Sequence, residues 1–394
     1  MSLKLKPLQE QTLVVTGATS GNGLAVARRA ARLGARVMLL ARDETGLASL
    51  CEWIGRSGGE AAYAVTDVGD AAAVQAAADA AIERFGGFDT WVNNAGVGVY
   101  SRLEDLPLED HHAIFRTNYW GVVHGSLAAV RHFRTKGTGG VLINVGSINA
   151  DMPTPLLSAY AASKHAVKGF TNSLRLELIS EKAPVSVTLI NPSAIGTPFP
   201  QNARNLTGLR ARLPWPIYSP ELVADAVLHA TQHQRRSITV GGGGRLQVAG
   251  SVLAPRAFDQ IGARMLPLLV EARRPEPPGP GNLEAPSDGP RSVEGRQKGR
   301  RFSLYTAAVL HPRATSAALS GLAVVAACLV GRSSPSDLLR QGRAPSGVRA
   351  RRRSSILFAE NKVGRKAEIQ QLFETVRGHE RVWSRRSREL IGVA

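Results

Sequence analysis

The stretch Thr12 to Leu33 restricts the fold of this chain more than any other. Thr12-Leu13-Val14-Val15-Thr16 is a short β-branched, apolar run, Gly17-Ala18-Thr19-Ser20-Gly21-Asn22-Gly23 follows at once, and a helical pattern continues to Leu33. The order is strand, glycine turn, helix, the opening of an α/β domain. Glycines permit a tight turn and the close approach of a pyrophosphate, while a helix start offers unpaired N–H groups and the positive end of a dipole. The spacing Gly-x-x-x-Gly-x-Gly departs from the commoner Gly-x-Gly-x-x-Gly, but the physical logic is the same. Taken alone, such a turn could be only a tight connection. Its place between strand and helix makes Gly17, Thr19, Ser20, Gly21, Asn22 and Gly23 candidate nucleotide contacts.

The next strands extend the pattern. Arg36–Ala41 ends where a doubly wound fold places an acid against a ribose 2′-hydroxyl, yet the residue there is Ala41, followed by Arg42. With no carboxylate to repel a 2′-phosphate and a guanidinium to pair with one, NADP(H) is favoured over NAD(H). Asp43, next door, works against that preference. Ala61–Val65 reads as a third strand with Asp67-Val68 at its carboxyl end, where Asp67 could accept from an adenine amino group or cap the alanine-rich helix Ala71–Phe85. Asp89–Val92 reads as the fourth strand and runs into Asn93-Asn94-Ala95-Gly96, small residues that let the backbone pass close to adenine and ribose.

The chemistry is centred on Tyr160-Ala161-Ala162-Ser163-Lys164. A phenol and an ammonium four residues apart share one helix face, so the lysine can draw the tyrosine pKa down towards neutrality and let it give or take a proton. The same spacing also occurs as a packed ring beside a solvated charge, so the surrounding residues must decide. Ser147 stands thirteen residues earlier, after the fifth strand Val141–Val145, where its hydroxyl can hold a substrate oxygen. Asn118 is an odd choice inside the long helix Leu108–Lys136, and makes sense if its side chain or a locally altered backbone holds a proton-relaying water.

These features together resemble the short-chain dehydrogenase/reductase family: Thr16-Gly17-x-x-x-Gly21-x-Gly23, Asn93-Asn94-Ala95-Gly96, Asn118, Ser147, Tyr160-x-x-x-Lys164 and Asn191-Pro192, in order, over residues 10 to about 240. The resemblance implies an α/β, Rossmann-type, doubly wound, parallel seven-stranded sheet and a tetrad of Asn118, Ser147, Tyr160 and Lys164. It implies an NADP(H)-dependent alcohol dehydrogenase or carbonyl reductase, with Tyr160 as general acid or base, Ser147 orienting the substrate, Lys164 on the nicotinamide ribose and Asn118 on the water chain. Pro192, Ile195 and Thr197 match the loop that holds the carboxamide, with Ser193 in place of the usual glycine. It further implies a homo-dimer or homo-tetramer formed through helices at Leu108–Lys136 and Leu156–Glu181. The alternative reading is a catalytically silent NADP(H)-binding regulator or scaffold, against which the intact tetrad argues.

Length and charge place the remainder. Of 394 residues, the catalytic domain takes 8–245, an apolar helix 246–272, a Pro/Gly/Arg linker 273–301, an apolar helix 302–331 and a basic, partly disordered tail 332–394. Within the first of these, Phe199–Pro220 reads as a proline-rich lid whose Trp215 and Tyr218 suit an apolar substrate, or as a plain surface loop. The segment 271–394 carries 23 Lys and Arg against 11 Asp and Glu, so +12 of the formal +18 belongs to it. A basic tail suits acidic partners, but it lacks the interleaved aromatics of a nucleic-acid surface, and no nucleic-acid partner is expected. Residues 314–331 hold no charge, near the lower length limit for a membrane span, and could contact a membrane or dock as an apolar helix. Cys51 and Cys328 fit neither a zinc motif nor a disulfide framework, and Met1–Glu10 is short and polar. A cytoplasmic protein with no bound metal is the expectation.

Overall fold

Strands inside a parallel sheet are buried on both faces, and the five inner strands of this chain meet that condition, while the edge strands Ala61–Val65 and Ser237–Val240 are partly exposed. The computed structural model describes residues 3–264, 266–318 and 320. Its central sheet comprises β1 (Thr12–Thr16), β2 (Arg36–Ala41), β3 (Ala61–Val65), β4 (Thr90–Asn93), β5 (Gly140–Val145), β6 (Val185–Pro192) and β7 (Ser237–Val240). All its pairings are parallel, and the strand order is β7-β6-β5-β4-β1-β2-β3. The doubly wound seven-stranded sheet expected from the sequence is therefore present. Its order reverses between β1 and β4, and the crevice at their carboxyl ends is where such sheets bind ligands.

Side chains alternate across the sheet with a period of two. Leu13 and Val15 of β1 enter one core with Leu24 and Ala27 of α1 (Gly21–Arg32), Leu47 and Ile54 of α2 (Glu44–Arg56), and Val223 and Val227 of α7 (Pro220–Gln232). Val14 faces the opposite core, beside Ala77 and Ala81 of α3 (Ala71–Phe85), Phe133 of α5 (Gly121–Lys136) and Leu178 of α6 (Ser158–Ser180). A one-residue slip of β1 would exchange the two sets, so burial on both sides fixes the register. The helix starts are capped locally: Asp43 accepts from Gly46 N–H at 3.1 Å and Asp70 from Ala72 N–H at 2.8 Å. Asp70, rather than Asp67, thus caps α3.

Three expectations differ from the structure. The long helix 108–136 is α4 (Leu108–Phe115) and α5 joined by a π-helical turn, Arg116–Trp120. The single apolar helix over 246–272 is instead α8 (Gly242–Leu253), α9 (Pro255–Arg264) and a strand, Val270–Pro275, that pairs antiparallel with Leu209–Ala211. Glycines 242 to 244 open α8 because a side chain there has no room: a Cβ on Gly244 would lie 2.4 Å from Ser193 Cβ. The stretch 273–301, expected to bury nothing, lies along the domain with Leu283 among Val97, Ile114 and Ala159. Its hold is mostly backbone hydrogen bonding, which its proline- and glycine-rich composition does not advertise.

Beyond it, a short helix, α10 (Leu304–Leu310), follows. No helix among the described residues is long and apolar enough to cross a membrane. Most of 314–331 and all of 332–394 lie outside the described residues.

Candidate active site

The glycine turn is built by conformations that other residues adopt poorly. Gly17 and Gly21 have φ of 65° and 54°, in the left-handed region that only glycine enters freely. A Cβ on Gly23 would sit 2.1 Å from the Gly17 carbonyl oxygen, so the turn closes only on a residue without one. The end of β4 is tied to it: Thr16 Oγ1 accepts from the N–H groups of Asn94 and Ala95 at 2.9 and 3.0 Å, and Asn94 Nδ2 donates to the Thr16 carbonyl at 2.9 Å. Ser20, at the start of α1, makes no side-chain cap, so the first-turn donors are not consumed by a neighbouring hydroxyl.

Together these walls enclose a cleft of about 340 Å³. Gly17, Thr19, Ser20, Gly21, Asn22, Arg42, Asp67, Val68, Asn94, Ala95, Gly96, Ser147, Tyr160, Lys164, Pro192, Ile195 and Thr197 all line it. Gly23 and Asn118 do not. Gly23 packs beneath the turn, while Asn118 lies fully buried in the π-helical turn. Asn118 Oδ1 accepts from Val97 N–H at 2.8 Å, and Nδ2 donates to Val97 O and Ser163 Oγ, both at 3.0 Å. Its side chain is thus spent on structure, and the altered backbone is the feature left to hold a water. Asp67 accepts from Gly69 N–H at 2.9 Å, which turns its carboxylate at the wall.

Ser147 Oγ accepts from Asn149 N–H at 3.1 Å and stands beside the Tyr160 phenol. Lys164 Nζ lies 5.7 Å from the Tyr160 ring centroid and donates to the Val145 carbonyl at 3.0 Å. Burial dominates the acidities. It pushes the phenol up to about 12, with the neighbouring Ser147 hydroxyl opposing, and brings the Lys164 ammonium down to about 8. Burial thus opposes the lowering expected from Lys164 on the same helix face. Ser193, at the position expected to hold glycine, donates to the Val240 carbonyl at 2.7 Å, so its hydroxyl is absorbed within the fold.

The substrate end is apolar. Phe199 sets its ring 5.3 Å from that of Tyr160 and 6.2 Å from that of Tyr100, and Leu157, Leu213, Phe258 and Leu269 complete the wall. Tyr100, Phe258 and Leu269 were not legible as site residues. Their only signal is to be large and apolar in segments of no clear period.

Residues 11–207 match the short chain dehydrogenase family model. An uncharacterized oxidoreductase of Bacillus subtilis (strain 168), YxnA, is 40% identical over 328 residues, which is 82% of this chain and 92% of that one. Among solved structures, a short chain dehydrogenase/reductase from Burkholderia phymatum in complex with NAD has a TM-score of 0.57 at 26% identity, covering 71% of this chain and 99% of that one. An alcohol dehydrogenase from Thermococcus sibiricus complexed with 5-hydroxy-NADP has a TM-score of 0.51 at 26% identity, covering 58% and 95%. Fold, glycine turn and these likenesses agree, and the chain belongs to the short-chain dehydrogenase/reductase family of oxidoreductases.

Proposed function

We propose that this protein transfers hydride between a nicotinamide dinucleotide, NADP(H) in preference to NAD(H), and an apolar alcohol or carbonyl compound. The observation that carries the reading is the convergence of Ser147, Tyr160 and Lys164 in the same cleft as the glycine turn. The cleft suits such a cofactor: its glycine walls admit a backbone-hugging ligand, and the buried Asn22 Oδ1 has no partner among the described residues. The bound nicotinamide supplies or accepts the hydride.

This chain does the rest. Gly17 to Gly23 and the start of α1 receive the pyrophosphate, Asp67 and Val68 the adenine, and Asn94 to Gly96 the adenosine ribose. Pro192, Ile195 and Thr197 receive the carboxamide, and Lys164 the nicotinamide ribose. Ser147 orients the substrate oxygen, and Tyr160 exchanges the proton with it, replenished through Lys164 and a water on the Asn118 backbone. At neutral pH a phenol raised to about 12 holds its proton, which equips the site to donate it to a carbonyl oxygen during reduction. The apolar wall around Phe199, Leu157 and Phe258 favours an apolar substrate.

The NADP(H) preference rests on Ala41 and Arg42, and gains from Arg291, whose guanidinium pairs with both oxygens of Asp43 at 2.6 and 3.0 Å. The acid that opposed a 2′-phosphate is thereby neutralised. Exposed Leu108, Leu127, Leu176 and Ile179 on α4 to α6 support a homo-dimer or homo-tetramer.

A Tyr160→Phe protein tests the central role. Its turnover should fall by about 10²–10⁴ while NADPH affinity is retained, measured by cofactor absorbance and by fluorescence titration. Full turnover in this variant would remove Tyr160 from the chemistry.

A further inference from the structure

Residues 281–300 lie outside the matched family region and pass directly over the nucleotide end of the cleft. They are tied down at both ends. Asn282 N–H donates to the Asn202 carbonyl at 2.7 Å, and at the far end Gly295 N–H donates to Gly196 O at 2.8 Å and Arg300 N–H to Ile217 O at 2.9 Å. A Cβ on Gly299 would lie 2.0 Å from the Tyr218 carbonyl carbon, so the contact there is backbone against backbone.

Between those ends, the segment engages the residues assigned above to the dinucleotide. The Gly21 N–H donates to the Ser292 carbonyl at 2.9 Å. Arg42 donates to three consecutive carbonyls, Asn282, Leu283 and Glu284, the last two at 3.1 and 3.0 Å. Two of the five guanidinium hydrogens are left over by this count. Arg291 holds Asp43, and Arg116 pairs with Glu284 at 2.6 Å. Leu283, 1% exposed, anchors the near end in the core, and Arg291 and Ser292 hold the middle. Asn282 Oδ1 and Asn22 Oδ1 are both buried without a partner among the described residues, and both residues line the cleft. Two unpaired buried oxygens are costly unless a donor-bearing ligand such as a ribose or an adenine satisfies them.

We propose that residues 281–300 form a cover over the adenosine and pyrophosphate end of the cofactor cleft, latched by Arg42, Arg291 and Glu284, which must lift for the dinucleotide to exchange. The inference rests on the dinucleotide reading given above. A segment fixed at both ends and in the middle leaves no way past it without breaking these contacts. Because its far end is bonded to Gly196 in the carboxamide loop and to Leu213 and Ile217 within Phe199–Pro220, lifting the cover also loosens that segment. Cofactor exchange is then the slow step, and it is coupled to opening of the substrate end.

The test compares full-length wild type with Arg291→Ala/Asp43→Asn/Glu284→Gln, in which the amide at position 43 keeps the cap of α2 and leaves no freed carboxylate against a 2′-phosphate. The Arg291 and Glu284 side chains are exposed by half or more, so the change loosens the latch while leaving the core intact. Stopped-flow fluorescence follows NADPH binding and its displacement by excess NADP⁺, and hydrogen exchange follows the amides of 281–300. Loss of the two partly exposed ion pairs should raise both the association and the dissociation rate by about tenfold, roughly 1.4 kcal/mol off the opening step. In the wild type, NADPH should slow exchange at Gly295 and Arg300. Dissociation within twofold of wild type, or a rise in dissociation with association unchanged, would overturn the cover; the second pattern would make the segment an ordinary contact. A wild type that binds neither NADPH nor NADH would instead defeat the dinucleotide reading itself.

Discussion

Replacing Lys164 by methionine should make the protein more stable and inactive, and the size of the gain follows from the site. The ammonium is 3% exposed, and burial alone brings its pKa from 10.5 down to about 8. At pH 7 the charged form therefore costs the native state about 3 kcal/mol relative to the unfolded chain. Its one hydrogen bond in the structure, to the Val145 carbonyl, returns about 1 kcal/mol and is lost in the variant. Methionine fills a similar length without a charge, so the net gain is about 2 kcal/mol, or roughly 4 °C in Tm.

The sign with pH is specific. A lysine with a lowered native pKa penalises folding fully below about pH 8, and the penalty fades as pH rises towards 10.5, because over that window the unfolded chain binds more protons. Tyr160, raised to about 12, acts in the opposite sense only above pH 10. Thermal melts of both proteins at pH 7 and 9.5 isolate the lysine, and the advantage of the variant should shrink by about 2 kcal/mol between them. A variant that melts at or below wild type at pH 7, or a difference that does not change with pH, would refute the burial argument.

Two further outcomes follow from the cofactor walls. Arg42→Ala should weaken NADPH binding by at least about tenfold more than NADH binding in fluorescence titrations, and equal losses would remove the 2′-phosphate contact. Gly23→Ala drives a Cβ to 2.1 Å from a backbone oxygen. It should cost about 1–3 kcal/mol in a denaturant melt and abolish measurable binding of either dinucleotide, and retained binding would show that the turn can relax.

The central sheet was legible because its strands carry their own signal. Thr12–Thr16, Arg36–Ala41 and Val185–Ile190 are β-branched or aliphatic runs set off by glycine, asparagine or proline, and all three are strands. Asn118 stood out as a poor residue for a helix interior, yet the π-helical turn that explains it has no residue signature. Spacing reports the lysine beside Tyr160 but not how much water the fold removes from the phenol. The cover was invisible for a different reason. Its bonds come from the carbonyls of Asn282, Leu283, Glu284 and Ser292, and main-chain oxygens are identical in every residue. Arg42 could be read as a cation awaiting a phosphate, but not as one already shared with another part of its own chain.

The wide turn at Arg116–Trp120 has a consequence for how this helical run can vary. It holds one residue more than an α-helix of the same rise would need, and one residue corresponds to about 100° of rotation about the axis. Ala113 and Ile114 before it and Val122, Gly125 and Ala129 after it are all buried, so both halves keep a face in the core. Loss of one residue from the turn would close it to a regular α-helix of the same rise and leave both halves facing as they do. A single-residue change of length is thus absorbed at this turn, while elsewhere in the run it would rotate one half by about 100°.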